Sequence, residues 1–403
     1  MTDWAAELRR CVRCGACREV CPVFDLTRLE TDVARGRLAR IEQCDQMDRF
    51  VTADRDALSR CLQCGRCVEV CQSNVRVPDI VRDAKARSGG ATAIESSVAG
   101  ALGDPARLRR LTKRARVFLA WLARATPDDA GLRLRFALPY FKAGRYVPRI
   151  PRRSYLARVA PRAAAGQERV ALFLGCGAGH LFDGVGDAID AILTTMQLVA
   201  AVPEQACCGL PAWGMGADRE ARIAAANWLE AFVPGDYDAI LCACASCAAH
   251  LQRNLPEVLA GDRRADQAAR IADNVHDFFA WLRKRNWRAD LGGQRIAVHL
   301  PCHARHDVRD GEALIPLLIE SGATVIELPD ALDQACCGMG GAFGVRHAEL
   351  SRAIGEKKVQ AMLRERPDVI VTSCTGCLLQ LRDLVERSGA RVRVCHAAEL
   401  LAG

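Results

Sequence analysis

The sequence predicts a chain of mixed α+β and α/β class, with a small α-helical N-terminal domain built around ligating cysteines followed by two pseudo-symmetric α/β lobes. Three observations predict it. Eight of the 21 cysteines fall in two similar runs within residues 1–90, a basic stretch marked by prolines follows, and from Glu168 onward a strand, cysteine and helix pattern occurs twice.

The chain has 403 residues, 50% of them hydrophobic and 26% charged, which suits a globular protein of two or three domains. A chain of this size buries its core without disulfide staples. Cysteines grouped at short spacings therefore argue for metal ligation. The N-terminus, Met1-Thr2-Asp3-Trp4-Ala5-Ala6-Glu7, has acidic residues and no long apolar stretch, so neither a secretory signal nor an anchor is expected. Nothing later reaches the roughly 18 apolar residues of a spanning helix. The expected compartment is the cytoplasm, where thiols stay reduced.

The first run is Cys11-x-x-Cys14-x-x-Cys17-x-x-x-Cys21-Pro22, and the second is Cys61-x-x-Cys64-x-x-Cys67-x-x-x-Cys71. Three cysteines at i, i+3 and i+6 wrap three irons of a cubane, and in two-cluster ferredoxins the fourth ligand comes from the other run. Residues 1–90 are thus expected to form a two-[4Fe-4S] ferredoxin-type domain. Cys11, Cys14, Cys17 and Cys71 would hold one cluster, and Cys61, Cys64, Cys67 and Cys21 the other. Zinc closes with four ligands and leaves the evenly spaced third cysteine unexplained in both runs. A polar amphipathic segment from about Thr31 to Leu58 is expected to be helical. The second run ends Cys71-Gln72 where the first has Cys21-Pro22, and Pro78 stands close enough to turn the chain instead.

Residues 91–167 are expected to be a basic helical linker. Between 105 and 162 there are 14 Arg and 2 Lys against Asp128 and Asp129, a local balance of +14 in a chain of net +8. Leu108, Leu111, Ala115, Phe118, Leu119 and Leu122 recur at helical spacing among Arg and Lys, which predicts a basic amphipathic helix. It would pack on a neighbouring domain with a solvated basic face, or meet a membrane surface or an acidic partner. Pro139, Pro148, Pro151 and Pro161 mark the later part as irregular. Nucleic-acid binding is not expected, because no aromatic stacking pattern or recognition motif accompanies the charge.

In the lobes, 168–290 and 291–403, Arg169–Leu174 and Arg295–Leu300 read as buried strands ending before Cys176 and Cys302. Each leads to Cys-Cys-Gly, at Cys207-Cys208-Gly209 and Cys336-Cys337-Gly338. The strands Ala239–Leu241 and Val369–Val371 then run into Cys244-Ala245-Ser246-Cys247 and Cys374-Thr375-Gly376-Cys377. Alternating strands and helices favour parallel sheets with functional cysteines at strand carboxyl ends. The glycine after each cysteine pair would let the backbone approach a metal.

This order of motifs resembles the CCG-domain (cysteine-rich domain) iron–sulfur proteins over essentially the whole chain. That family includes the glycolate oxidase iron–sulfur subunit, the anaerobic glycerol-3-phosphate dehydrogenase small subunit and heterodisulfide reductase. Ala34-Arg35-Gly36-Arg37 and Cys336-Cys337-Gly338-Met339-Gly340-Gly341 lean toward the glycolate oxidase branch. The resemblance implies one or two further, noncubane [4Fe-4S] clusters. One would sit on Cys176, Cys207, Cys208, Cys244 and Cys247, the other on Cys302, Cys336, Cys337, Cys374 and Cys377. Cys44, Cys242 and Cys395 match no motif and read as small buried hydrophobes. His303, beside Cys302, reads as structural or as a donor to a cluster sulfur, and His180, His299 and His306 carry no assignment.

No complete dinucleotide fingerprint or catalytic triad is present, and no catalytic residue is assigned. The resemblance implies an electron-transfer subunit of a flavin-dependent glycolate- or lactate-type oxidoreductase. FAD and the substrate site would lie on a partner subunit, and quinone or a membrane cytochrome would be the acceptor. Peripheral contact with the inner face of the cytoplasmic membrane would run through 105–162. Complete Cys-x-x-Cys pairs in both lobes keep a second reading, a heterodisulfide-reductase-like subunit that reduces a disulfide. A structural metal-binding protein is the third.

Overall fold

The computed structural model describes residues 4–126, 131–138, 143–165 and 168–403. In the N-terminal domain the helices Trp4–Arg9, Ala34–Gln46, Thr52–Ser59 and Val77–Arg87 close around Leu8, Leu38, Ile41, Leu58, Ile80 and Val81. The segment between the cysteine runs forms two helices instead of one. The first ends at Met47 and Asp48, the latter in the left-handed region, and the second begins where Asp54 accepts the Val51 N–H at 2.8 Å. Ala34-Arg35-Gly36-Arg37 ties the two runs together. Arg35 donates to the Arg13 carbonyl in the first run, and buried Arg37 donates to the Arg60 carbonyl just before the second. A Cβ at Gly36 would lie 1.8 Å from the Glu30 carbonyl oxygen, so no larger residue fits.

The predicted basic helix spans Pro105–Leu122, with Asp104 accepting the Arg107 N–H and proline in the first turn. Its inward seam is narrower than the periodicity suggested. Leu108 is buried and Ala115, Leu119 and Leu122 are half-buried, whereas Leu111 and Phe118 turn outward. Phe118 is 63% exposed and Trp121 79%. The helix packs on helix Ala93–Leu102, and Leu111, Val117, Phe118 and Trp121 stay exposed.

The segment expected to be irregular contains a small antiparallel sheet of β1 (Ala123–Ala125), β2 (Leu132–Leu134) and β3 (Tyr146–Val147), with Ala123 opposite Leu134 and Leu132 opposite Val147. Arg133 of β2 is buried and paired with Asp383 and Glu386 of the second lobe. Arg162 makes a two-pronged pair with Asp190 of the first, at 2.8 and 2.9 Å. Part of the local positive charge is thus spent fastening this strap to both lobes. Asp128, Asp129 and Pro139 lie outside the described residues.

The first lobe holds a parallel sheet of β4 (Val170–Phe173), β5 (Ala239–Cys242) and β6 (Val275–Asp277), with Ala201 bridged to the free side of β4. The second holds β7 (Arg295–His299), β8 (Thr324–Val325), β9 (Val369–Thr372) and β10 (Arg393–His396), in the order β10-β9-β7-β8 and parallel throughout. The positions correspond one to one, so the duplication read in the sequence is a duplication of architecture. Fully buried runs such as Val170-Ala171-Leu172-Phe173 and Val369-Ile370-Val371-Thr372 suit strands covered on both faces. One apolar cluster joins Val170, Leu172 and Ile189 of the first lobe to Ile296, Val371 and Leu381 of the second, so the lobes share a core.

Candidate metal centres

Both N-terminal runs fold into the same tight loop. Arg13 and Gly15 in the first, and Gln63 and Gly65 in the second, have positive φ, which curls the backbone and turns successive cysteines inward. Cys11, Cys14, Cys17 and Cys71 line one small cavity, and Cys21, Cys61, Cys64 and Cys67 line a second, with Cys67 reaching both. The last cysteine of each run therefore crosses to the other run's cavity. Pro22 and Pro78 each open a helix, Pro22–Thr27 and Val77–Arg87, so Pro78 turns the chain after the second run.

In the lobes Cys176, Cys244, Cys302 and Cys374 stand just past the carboxyl ends of β4, β5, β7 and β9, while the adjacent pairs Cys207-Cys208 and Cys336-Cys337 come in on the loops that precede helices Leu210–Met215 and Ala342–Arg346. Each lobe brings its five together. Cys176 hydrogen-bonds Cys207, which neighbours Cys208, and Cys208 reaches Cys247 and through it Cys244. Cys302, Cys336, Cys337, Cys377 and Cys374 follow the same sequence in the second lobe. Cys244 and Cys374 also hydrogen-bond each other, so the two sets are continuous. Donation from Cys207 and then Cys247 pulls the Cys208 thiol down to about 6. Cys336, accepting first from Cys302, and Cys374, accepting first from Cys244, fall well below an ordinary thiol. The other thiols in these chains are pushed up, so Cys208, Cys374 and Cys336 each accept from a cysteine on either side, with two raised thiols between one acceptor and the next.

The N-terminal domain docks on the second lobe. Leu62 and Val23 pack with Phe343 and Ile354, and Cys21 and Cys64 sit against Cys302 and Cys336 in the same cluster. The charges of Cys64 and Cys336 act on each other directly. Beside this junction lies a cleft of about 760 Å³ lined by Gln63 and Gly65 of the N-terminal domain, His250 and Arg253 of the first lobe, and His303 and His306 of the second.

Several polar groups that the spacing rules passed over surround the sulfurs. Ser246 of the first lobe lies 3.2 Å from Cys374 of the second, and Thr375 of the second donates to Cys244 of the first at 3.8 Å. His303 Nδ1 is 2.9 Å from Ser246 Oγ, so it reaches a sulfur through that hydroxyl. Burial pushes both His250 and His299 down to about 3, which keeps their rings neutral. Cys44, Cys242 and Cys395 are buried, Cys242 within the same apolar cluster as Cys207 and Cys208, and burial pushes the thiols of Cys44 and Cys395 up to about 11.

The glycine after each cysteine pair has a different use from the one its place suggested. Gly209 and Gly338 have φ of +97° and +86°, and a Cβ on Gly338 would lie 2.1 Å from the Ser351 carbonyl oxygen. Its close approach is to the helix Ala348–Arg364, and its N–H points 3.4 Å from Cys336 Sγ. The donor set fits an iron–sulfur group. All 21 cysteines are free thiols, and sulfur faces sulfur in four groups with no hard oxygen ligand among them.

Comparison with known proteins agrees with this donor set. The 4Fe-4S dicluster domain family matches residues 7–75, and the cysteine-rich domain family matches 170–252 and again 296–382. The glycolate oxidase iron-sulfur subunit of Escherichia coli (strain K12) is 27% identical over 407 residues, covering 98% of this chain and 93% of its own. Lactate utilization protein A 2 of Bacillus cereus (strain Q1) is 28% identical over 241 residues, covering 58% of this chain and 98% of its own. With these matches in this order, and ten sulfurs gathered in two matching lobes, the chain carries a 4Fe-4S dicluster domain followed by two CCG cysteine-rich domains.

Proposed function

We propose that this chain is the electron-transfer subunit of a flavin-dependent 2-hydroxy-acid oxidoreductase of glycolate or lactate type, with FAD and the substrate site on a partner subunit and the quinone pool as acceptor. The observation that carries the reading is the unbroken row of cysteine sites. It runs from the cavity of Cys11, Cys14, Cys17 and Cys71 to that of Cys61, Cys64, Cys67 and Cys21, on to Cys302 and Cys336, and across the Cys374–Cys244 contact to the first lobe. Iron–sulfur clusters bound there would supply one-electron carriers. The chain's own residues space the sites, exclude water from the lobes by burying the sulfurs, and tie neighbouring sites with hydroxyls and backbone amides. Likeness to the glycolate oxidase iron-sulfur subunit and to lactate utilization protein A supports the substrate class.

The exposed face of helix Pro105–Leu122 supports a peripheral membrane contact. Val117, Phe118 and Trp121 stand outside beside Arg107, Arg110 and Arg114, and the helix has no acidic residue. An aromatic and basic face of this kind lies in the headgroup layer of an anionic bilayer. Among the described residues no helix is long and apolar enough to cross a membrane.

The test is anaerobic affinity purification of the tagged chain from its native cells, with partners identified by mass spectrometry and assayed for flavin. Recovery of an FAD-containing 2-hydroxy-acid dehydrogenase supports the relay. Completeness of both five-cysteine sets supports a second reading, a disulfide-reducing subunit. Recovery of a b-type cytochrome without a flavoprotein, together with anaerobic disulfide reduction by the purified chain, would replace the first reading with this one.

A further inference from the structure

The two lobes are alike in their cysteines and unlike in what stands behind them. His299 closes β7, is fully buried, and has no hydrogen-bond partner on either ring nitrogen. A ring nitrogen of His299, Cys337 Sγ and Cys377 Sγ lie within 4.8 Å of one another. A buried imidazole with both nitrogens unpaired is costly, and such a residue persists where a partner absent from the protein atoms satisfies it. Nearby, Lys358 is also fully buried. Its ammonium donates to the Asp333 carbonyl and its charge acts on His299, Cys302 and Cys337.

The first lobe has neither group. Aligning Arg169–Leu174 with Arg295–Leu300 places Phe173 where the second lobe has His299. Ser351 and Ala221, whose carbonyls face Gly338 and Gly209, stand 130 residues apart, and the same step carries Lys358 to Trp228. Phe173 and Trp228 are in edge contact, with centroids 6.1 Å apart. A neutral imidazole and a buried ammonium in one lobe thus occupy the place of an aromatic pair in the other.

We propose that His299 donates its ring N–H to a sulfur of the iron–sulfur group held by the second lobe and that Lys358 adds buried positive charge, so that this lobe holds an electron at higher potential than the first. The proposal rests on the reading that the five cysteines of each lobe hold such a group. Hydrogen bonds to cluster sulfurs and nearby positive charge both favour the reduced, more negative form. Among the described residues no ring nitrogen of the first lobe groups with two of its sulfurs as His299 does with Cys337 and Cys377, yet five cysteines gather there as well, so His299 acts as a donor in the second lobe and not as a further iron ligand. The second lobe, against which Cys64 docks, would then draw electrons from the N-terminal domain.

The test uses the full chain purified anaerobically, with iron analysis and redox titration followed by low-temperature EPR. The wild type is expected to carry about 16 iron, and His299→Phe to keep that content, four per site. The midpoint potential of one lobe signal falls in this variant while the N-terminal signals stay fixed. His299→Asn, which retains an N–H, restores part of the shift. An unchanged potential with full iron overturns the proposal and leaves the relay reading standing. About 8 iron in the wild type, with no signal from the lobes, overturns the proposal together with the reading that the lobes hold iron–sulfur groups, and leaves the N-terminal clusters as the carriers. If His299→Phe does not fold, pulsed EPR of the wild type grown with ¹⁵N-histidine decides. A weak coupling from one imidazole nitrogen is the expected result. A strong coupling, which marks direct ligation to iron, or no coupling at all overturns it.

Discussion

At the scale of the residue, the cysteines were legible because ligand spacing is a local property. Cys11, Cys14 and Cys17 recur every third position, and the fold had only to curl the backbone at Arg13 and Gly15. Replacing Cys14 with Ser is expected to remove one N-terminal cluster signal from low-temperature EPR and leave the other, and loss of both or neither would refute the crossed ligand sets. His299 sat in plain view within Arg295–Leu300 and was still passed over. Its importance depends on two sulfurs brought from 38 and 78 positions away, which no local rule supplies. Buried His180 carries a different consequence. Burial, aided by the Arg109 charge, pushes it down to about 4, and its Nε2 has no partner. A histidine depressed in the folded state binds its proton more readily when unfolded. Its contribution to stability is thus fully present above about pH 6.5 and is lost as pH falls toward 4, by up to about 1.4 kcal/mol per pH unit. Urea midpoints measured from pH 7.5 to 5 should fall less steeply for His180→Gln than for the wild type.

Among the elements, long and strongly patterned ones announced themselves. The four strands leading into cysteines appear within a residue or two of their expected places, because fully apolar runs ending before a ligand have few other uses. The strap between the domains did not. Strands of two or three residues carry no periodicity, and its prolines read as a linker, while the contacts that order it are Arg133 with Asp383 and Arg162 with Asp190. Two glycine substitutions separate strain from clash. Gly389 ends helix Thr375–Ser388 with φ of +74° and nothing within 4 Å of a Cβ, so Gly389→Ala should cost about 1 kcal/mol. Gly338→Ala adds a collision with the Ser351 carbonyl to the same backbone strain and should cost about 2–4 kcal/mol, with loss of iron from the second lobe. Thermal unfolding with iron analysis distinguishes the two. On helix Pro105–Leu122, Trp121→Ser with Phe118→Ser should abolish binding to vesicles of phosphatidylglycerol and phosphatidylcholine while leaving the absorption spectrum unchanged. Sedimentation with the vesicles, and a blue shift of tryptophan emission in the wild type alone, would show it.

For the molecule as a whole, the sequence revealed two repeats and their order, but not that they share one interior. Helix Gly184–Thr195 of the first lobe lies against Ala397–Leu401 at the chain's far end, and both belong to a single apolar cluster. A fragment ending at residue 290 would expose that surface, including Val185 and Ile189. It is expected to be insoluble or to bind a hydrophobic dye strongly, whereas a soluble fragment with a sharp thermal transition would refute the shared core. The same intimacy reaches the sulfurs, where Ser246 serves Cys374 and Thr375 serves Cys244 across the boundary. The Cys244–Cys374 hydrogen bond joins equivalent positions of the two lobes, and contact between equivalent residues is the mark of an isologous dimer interface. A single-lobe ancestor that already used this contact would have held its own five cysteines but met the neighbouring hydroxyl only on a second chain. Before the gene doubled, it would have worked as a pair of identical chains, and fusion would have freed each half to diverge, as Phe173 and His299 now do.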